Sequence, residues 1–501
     1  MSRLFLGKSL DASHPLSRQE GARYALFVLT SLNLLNYADR YVPAAVKTLL
    51  QQDLELTDAE TALPAFGMTL VYSVLAVIFG WLNDYQLMDR RLILFIAIIV
   101  WSIATTLAGL ARNLTSLVLL RSLVGVGEAA YSSITPPMLS DFYMLHERQV
   151  VYAIYYLALP IGGAFGFMIG ALVGSSYGWR VAFYVCGIPG LFLSFAVLRI
   201  NDPVRGINDP ELSEVELYPE IISPIAEKSF GDEDMERSDQ HISTSSLKKH
   251  PSSPPTAQPI SQPTAHRAFD WNAYGQEFKQ ILTNPVFMCC AMGLAANAYC
   301  LGGLTEWYAT YLLRYNQASL SSAGLIAGAA TIIGGILGNI LGSKVADYFD
   351  GKVRSSYLFI PALFCIPAAI CNIWAVNTVN NASSAYAAIF FTQIFAWTQI
   401  GPISAVYISC IPPPLRARAG GIIIILQHFL GDVVSPPIIG AVSDATGSLQ
   451  TGLQSTWIAM IISGLWWGIA AIMLPPISFG QMKQLGMDKT PPVTYFDILT
   501  R

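Results

Sequence analysis

The residues most able to do chemistry in this chain are charges placed where charge is expensive. Asn36-Tyr37-Ala38-Asp39-Arg40 interrupts one long apolar run, and Arg121, Gly125, Glu128 and Tyr131 punctuate another. A third run carries Thr305-Glu306-Trp307-Tyr308, and a fourth carries Gln427-His428-Phe429-Leu430-Gly431-Asp432. An ionisable side chain inside hydrocarbon costs about 3 kcal/mol on insertion scales, so each one needs a partner or a task. Asp39 and Arg40 point about 100° apart on a helix, so they are expected to pair with other helices rather than with each other. Arg121, Gly125 and Glu128 stand at i, i+4 and i+7, on one face, with the two charges about 10 Å apart along the axis. That separation is too long for a direct bond and leaves room for a partner between them.

The chemistry such a set supports is proton carriage. Burial disfavours a charged carboxylate while a nearby guanidinium favours it, so a carboxyl can exchange an ion pair for a proton. Glu128 is the leading candidate, and Arg40 suits the fixed half of the pair because a guanidinium does not deprotonate. If Arg40 approaches Glu128 in one conformation only, protonation and conformation become linked. A static ion pair that tunes packing explains the same residues equally well. His428 and Asp432 are four apart and share a face, where a carboxylate can stabilise a charged imidazole. A hydrogen-bonded packing histidine is the plainer alternative. Glu306 could meet a cationic headgroup beside Trp307 and Tyr308, or simply lie near the outer interface.

The elements that must position these residues are membrane helices. The chain has 501 residues, is 53% hydrophobic and 12% charged, with a mean hydropathy of +0.47, where a soluble protein carries about 25% charge. Twelve apolar runs are long enough to cross about 30 Å of hydrocarbon: 24–47, 62–84, 92–111, 115–141, 149–175, 180–200, 286–313, 322–346, 356–376, 384–408, 417–442 and 455–475. Residues 1–23 hold Asp11, Arg18, Glu20 and Arg23 without an apolar core, so the first spanning helix is expected to direct insertion. Arg90, Arg91, Arg148, Lys344, Lys352, Arg354, Arg416 and Arg418 gather on one side; Lys47, Arg112, Arg180 and Arg314 lie near helix ends on the other. The side richer in Lys and Arg should be cytoplasmic, with both termini. The sequons at Asn113 and Asn381 fall on the opposite side. The expected organisation is a tail over 1–23, a six-helix bundle over 24–200, a linker over 201–272, a second bundle over 273–476 and a tail over 477–501. The linker is rich in Pro, Ser, Thr and Gln and cannot bury enough apolar surface to fold alone, so it is expected to be a disordered connector.

A motif recurs at matching places in the two halves. Gly80 to Asp84-Tyr85, trailed by Arg90 and Arg91, returns as Gly342 to Asp347-Tyr348, trailed by Lys352 and Arg354. Asp84 and Asp347 each end a helix and could pair with Arg or cap a neighbouring helix across the junction between bundles, which makes them candidate conformational latches. Glycines repeat every four residues at 162, 166 and 170 and at 334, 338 and 342, giving smooth stripes for close backbone approach. The seven cysteines lack metal-ligand spacing and read as small buried hydrophobes. With no nucleotide loop, metal cluster or nucleophile beside its base, an enzyme is not expected, nor is a cofactor or a nucleic-acid partner.

The duplicated motif and six-plus-six layout resemble the major facilitator superfamily. Within it, Asn36 to Arg40, Arg121 with Gly125 to Ala129, and His428 to Asp432 with Ser435-Pro436 look like the Spinster family of lipid transporters, over both bundles but not the tails or linker. The resemblance implies an all-α membrane protein with 12 transmembrane helices in two six-helix bundles. It implies proton-linked, alternating-access movement of lysophospholipids or sphingoid lipids across a lysosomal or plasma membrane, with one chain forming the pathway. By matching positions, Asp39, Arg40 and Glu128 would form the coupling cluster and His428 a pH-sensitive group. Arg121 would support that cluster or the cargo site. Apart from the resemblance, Asn36, Tyr37, Tyr131, Glu306 and Trp307 are further candidates for substrate binding or cavity support. Two places depart from the family pattern: Asp84-Tyr85-Gln86 replaces a compact Asp-Arg-x-x-Arg, and Glu306 stands where an apolar residue is expected. Since fold does not fix cargo, a carrier of small organic anions or sugars is the alternative. A transport-inactive receptor that uses the linker to recruit partners is a third reading.

Overall fold

In hydrocarbon every backbone N–H and C=O must find its partner inside the element, so a spanning chain of this composition has to be helical. The computed structural model describes residues 21–84, 89–143, 145–203, 271–353, 355–412 and 415–474, and among them helix is the only regular structure. The expected tails and linker lie almost entirely outside the described residues, which include 21–23, 201–203 and 271–272 of them. Among the described residues, eleven helical segments are long and apolar enough to cross a membrane. The twelfth, α1 (Ala22–Ala45), spans 24 residues, about 36 Å at 1.5 Å per residue; Asn33, Asn36, Asp39 and Arg40 lower its apolarity.

The first half continues with α2 (Lys47–Leu54), α3 (Asp58–Asp84), α4 (Arg90–Ala108), α5 (Leu114–Phe142), α6 (Leu145–Tyr177) and α7 (Trp179–Val197). The second half holds α8 (Trp271–Leu282), α9 (Pro285–Tyr315), α10 (Leu320–Phe349), α11 (Ser356–Asn377), α12 (Ala382–Ala396), α13 (Ile400–Ser409), α14 (Arg416–Gln427), α15 (Ser435–Thr446) and α16 (Leu449–Met473). Because successive spans alternate in direction, their junctions fall at two ends. The terminal end holds Ala22 and Met473; the distal end holds the turns at 46–57, 178, 316–319, 378–381 and 447–448. Both sequon asparagines lie at the distal end as helix caps: Asn113 accepts from the Ser116 N–H at 2.8 Å, and Asn381 from the Ser384 N–H at 3.0 Å.

Two spans read as continuous in the sequence are broken. The tenth is divided between α12 and α13, because Pro402 has no N–H to give the Thr398 carbonyl. The eleventh is divided by a π-turn, His428–Asp432, in which Gly431 leaves helical geometry at φ −111° and ψ −106°. Pro436 and Pro437 follow at the start of α15 and remove two more donors.

The glycine stripes act inside each half. A Cβ on Gly166 would collide with the Ala38 carbonyl oxygen and come within 2.9 Å of Tyr41 Cβ, so α6 lies directly on α1. Gly338 and Gly342 meet the backbone at Ile394 and Thr398 in the same way. The seam between the halves uses different glycines, Gly324 against Ala171 and Gly328 against Ala164. Gly166→Ala is therefore expected to lower the melting temperature of the detergent-solubilised protein, at a cost of about 1–3 kcal/mol. Gly420→Ala, where nothing lies within 4 Å of the added carbon, should leave melting unchanged or raise it. Equal melting of the two variants would contradict the close approach.

Candidate functional site

α1 delivers three polar side chains to one neighbourhood, with Asn36 one turn before Asp39 and Arg40. The 100° between Asp39 and Arg40 sends them to different residues of α5. Arg121 Nη1 donates to both Asp39 oxygens at 3.0 and 3.1 Å, and Thr105 Oγ1 donates to Asp39 at 2.8 Å. Arg121 Nη2 lies 2.9 Å from Met68 Sδ. Arg40 Nε donates to Glu128 Oε2 at 2.6 Å. The space between Arg121 and Glu128 is thus taken by two partners from α1, each bonded to one of them.

The two pairs differ in kind. Asp39 and Arg121 are both buried, and both Asp39 oxygens are engaged. The Glu128 side chain is 0% exposed but that of Arg40 is 18% exposed, and Glu128 Oε1 is buried without a hydrogen bond. A proton can be accepted at that oxygen without displacing any donor. Arg40 Cζ lies 4.4 Å from the centre of the Tyr72 ring and 5.4 Å from that of Tyr37, close enough for cation–π attraction. The Tyr72 ring in turn meets His428 edge-on at 5.7 Å, a contact between the two halves. His428 Nδ1 lies 2.9 Å from Asp432 Oδ1 across the π-turn. One line of contacts therefore runs from Glu128 through Arg40, Tyr72 and His428 to Asp432. π-turns of this kind are frequent at functional sites. The Asn36 amide nitrogen is also buried without a partner.

The distal end carries a second group of charges. Arg314 donates to both oxygens of Asp58 at 2.6 and 2.8 Å and to Gln51 at 2.5 Å. Asp444 accepts from the N–H groups of Asp58 and Ala59, each at 2.9 Å, and so caps α3 from the other half. Ser443 donates to Asp58 at 2.5 Å. Lys47 is paired with Glu306 and donates to the Thr61 carbonyl at 3.3 Å.

With this geometry in place, comparison with known sequences gives the family. The profile of the Major Facilitator Superfamily matches residues 29–436. The chain belongs to the Major Facilitator Superfamily. Its similar relatives include protein spinster of Drosophila melanogaster, 26% identical over 431 residues, covering 84% of this chain and 62% of that protein. Spinster homolog 3 of Danio rerio is 26% identical, with 86% of this chain and 79% of that protein covered. The probable sphingolipid transporter spinster homolog 2 of Arabidopsis thaliana is 26% identical, with 88% and 85% covered. This chain thus spans a little under two thirds of the fly protein and more of the others. Among solved structures, a bacterial homologue of the lysosomal transporter Spinster, in an inward-facing and unoccupied conformation, superposes with a TM-score of 0.66 at 20% identity, over 91% of this chain and 96% of that one. The likeness to that structure establishes the fold.

In this superfamily member, an integral multi-pass membrane protein, the other candidate residues are spread over several places. Tyr131 is buried in the first half, its hydroxyl donating to the Leu29 carbonyl and its ring edge-on to Trp101 at 5.3 Å. It braces α5 on α1; Arg121, held by Asp39, is likewise buried. Glu306 and Trp307 lie in the distal seam, where Glu306 pairs with Lys47 and the Trp307 indole donates to the Pro436 carbonyl. The candidate latches behave locally. Arg90 clips three helix ends together through Asp141 at 2.5 Å and Asp202 at 2.5 Å. Arg91 pairs with Asp89 and holds that carboxyl below the usual carboxylate range. Asp347 accepts from Tyr357 within its own half. The Asp84 side chain and Arg354 lie outside the described residues. Two ion pairs that cross between the halves, Lys47–Glu306 and Arg314–Asp58, lie at the distal end. Lys47 was missed because a lysine at the end of an apolar run ordinarily reaches back to water. The signal that could have found it is Glu306, an acid in an apolar run that needs a cation.

Proposed function

We propose that this chain is a proton-coupled, alternating-access transporter of lysophospholipids or sphingoid lipids, working as a single chain in a lysosomal or plasma membrane with cytoplasmic termini. In that orientation the distal end faces away from the cytoplasm, in keeping with the Lys and Arg bias of the terminal side. The observation that carries the reading is the Arg40–Glu128 pair: a buried carboxylate with one free oxygen, bonded to a guanidinium that reaches the space between the halves. Protonation of Glu128 removes the charge that holds Arg40. Arg40 then turns toward Tyr72 and the opposite half, whose His428–Asp432 pair is already in contact with that ring. Asp39, with both oxygens engaged, and its partner Arg121 hold α1 and α5 in place while this occurs. Proton state and the fit of the two halves are coupled through one side chain. The sphingolipid assignment of the plant relative supports an amphiphilic cargo, as does the aromatic character of the surroundings of Arg40.

The test is flux of radiolabelled lysophosphatidylcholine in liposomes holding the purified protein. An inward proton gradient is expected to stimulate uptake several-fold, on the scale of a coupling free energy of about 1–3 kcal/mol. Equal uptake with and without the gradient would remove the coupling. Uptake of a small hydrophilic solute that lysolipids do not compete with would remove the lipid cargo.

A further inference from the structure

The distal end contains a residue pair that the coupling scheme does not use. Lys47 stands at the junction of α1 and α2, is 1% exposed, and is paired across the seam with Glu306 of α9. Its ammonium lies 4.2 Å from the centre of the Trp307 ring, and the Trp307 indole N–H donates to the Pro436 carbonyl at 3.1 Å. Carboxylate, Thr61 carbonyl and indole face thus enclose the ammonium and replace its water. The neighbouring pair has the reverse polarity. The first half supplies a cation at Lys47 and an anion at Asp58; the second supplies an anion at Glu306 and a cation at Arg314. The two pairs are neighbours: Lys47 donates to the Thr61 carbonyl, and the Thr61 hydroxyl donates to the Asp58 carbonyl one turn earlier in α3. Sliding one half on the other would bring Lys47 toward Arg314 in one direction and Asp58 toward Glu306 in the other, so like charges oppose a shift of register either way. Arg314 is partly solvent-exposed, so water can cover it once the seam opens. Lys47 is enclosed, and opening the seam strips it of its carboxylate and its aromatic face together.

The geometry points to Lys47–Glu306 as a second, enclosed pin of the distal closure, which with Asp58–Arg314 sets the register of the two halves and makes the distally closed form the resting state. This rests on the alternating-access reading above, in which the distal end must open during the cycle. Lys47 and Glu306 are positioning residues: they act on the equilibrium between forms.

Hydrogen exchange on the full chain in lipid nanodiscs reads the pin directly, because the Asp58 and Ala59 amides that bond Asp444 across the seam are freed when the distal end opens. Glu306→Gln and Lys47→Met are each expected to speed exchange of those amides by about tenfold, with the α4 amides unchanged as a measure of intact fold. The double variant Lys47→Met/Glu306→Leu removes both charges, and an apolar replacement of a buried pair keeps the closed form packed. It should return exchange to within about threefold of the natural protein. Effects of the single changes that multiply in the double variant would overturn the pin, as would single variants that exchange like the natural protein. Should either single variant misfold, Glu306→Asp takes its place. It keeps the charge but draws it back by one methylene, and unchanged exchange there also overturns the pin. Exchange needs no cargo, so absent lysolipid flux would overturn the transport reading and leave the pin standing. Multiplicative exchange would do the reverse.

Discussion

Glu128→Gln is expected to abolish the response of lysolipid flux to a proton gradient while leaving a folded, membrane-inserted protein. The amide is nearly the same size as the carboxylate and its oxygen can still accept from Arg40 Nε, so packing at this fully buried position is kept. What it cannot do is carry a negative charge or gain and lose a proton at neutral pH. The variant is fixed in the uncharged state that Glu128 reaches only on protonation, in which no ion pair holds Arg40. Flux under the gradient should fall several-fold, to its level without one, the loss of the whole coupling free energy of about 1–3 kcal/mol. Fluorescence-detected size exclusion gives the control for folding. Gradient-driven flux equal to that of the natural protein would sink the assignment of Glu128 as proton carrier and leave the pair a packing device. The stability cost should be modest for a buried pair, because Arg40 already reaches partly solvated space and keeps its aromatic neighbours.

The contrast between the two α1–α5 pairs shows how much could be read from residue order alone. Adjacent opposite charges on one helix could be assigned to different partners from the 100° step, and the two charges on α5 could be assigned a gap needing occupants. Which charge met which could not, because that depends on side-chain reach. Arg40 extends to Glu128, whereas Asp39 is short and is reached by Arg121. The number and approximate ends of the spans were legible because their lengths are set by bilayer thickness. The breaks at 397–399 and 428–432 were not, since Pro and Gly in membrane helices are common and break them only when neighbouring groups take up the freed carbonyls. Gly431 is such a case: a Cβ there would lie 2.7 Å from the Ala295 carbonyl oxygen, so close contact with α9 holds the turn open. The distal seam was the least legible part. Repeated motifs directed attention to the terminal end, where Arg90 and Arg91 turned out to hold their own half together. The seam is built from residues that look unremarkable singly, a lysine and an arginine near helix ends, and an aspartate opening α3.

Arg121→Met is expected to be the most damaging single change in the first half. Methionine fills much of the same space and can lie beside Met68, so little cavity is created. The loss is electrostatic. Asp39 would remain in a site closed to solvent with Thr105 as its single remaining side-chain donor, since Arg121 Nη1 reaches both of its oxygens. Breaking a buried pair by removing one partner costs about 3–5 kcal/mol, comparable to the whole net stability of many folds. The variant should express poorly, or melt far below the natural protein in detergent. The double variant Asp39→Asn/Arg121→Met should recover most of the loss, because no buried charge is left without its partner and Thr105 can still donate to the Asn oxygen. If the double variant also recovers gradient-driven lysolipid flux, Asp39 and Arg121 are scaffold and Glu128 with Arg40 carries the coupling alone. If it melts normally but has lost gradient dependence, the Asp39 carboxylate belongs to the proton pathway as well, and the division of labour drawn from its two engaged oxygens is wrong.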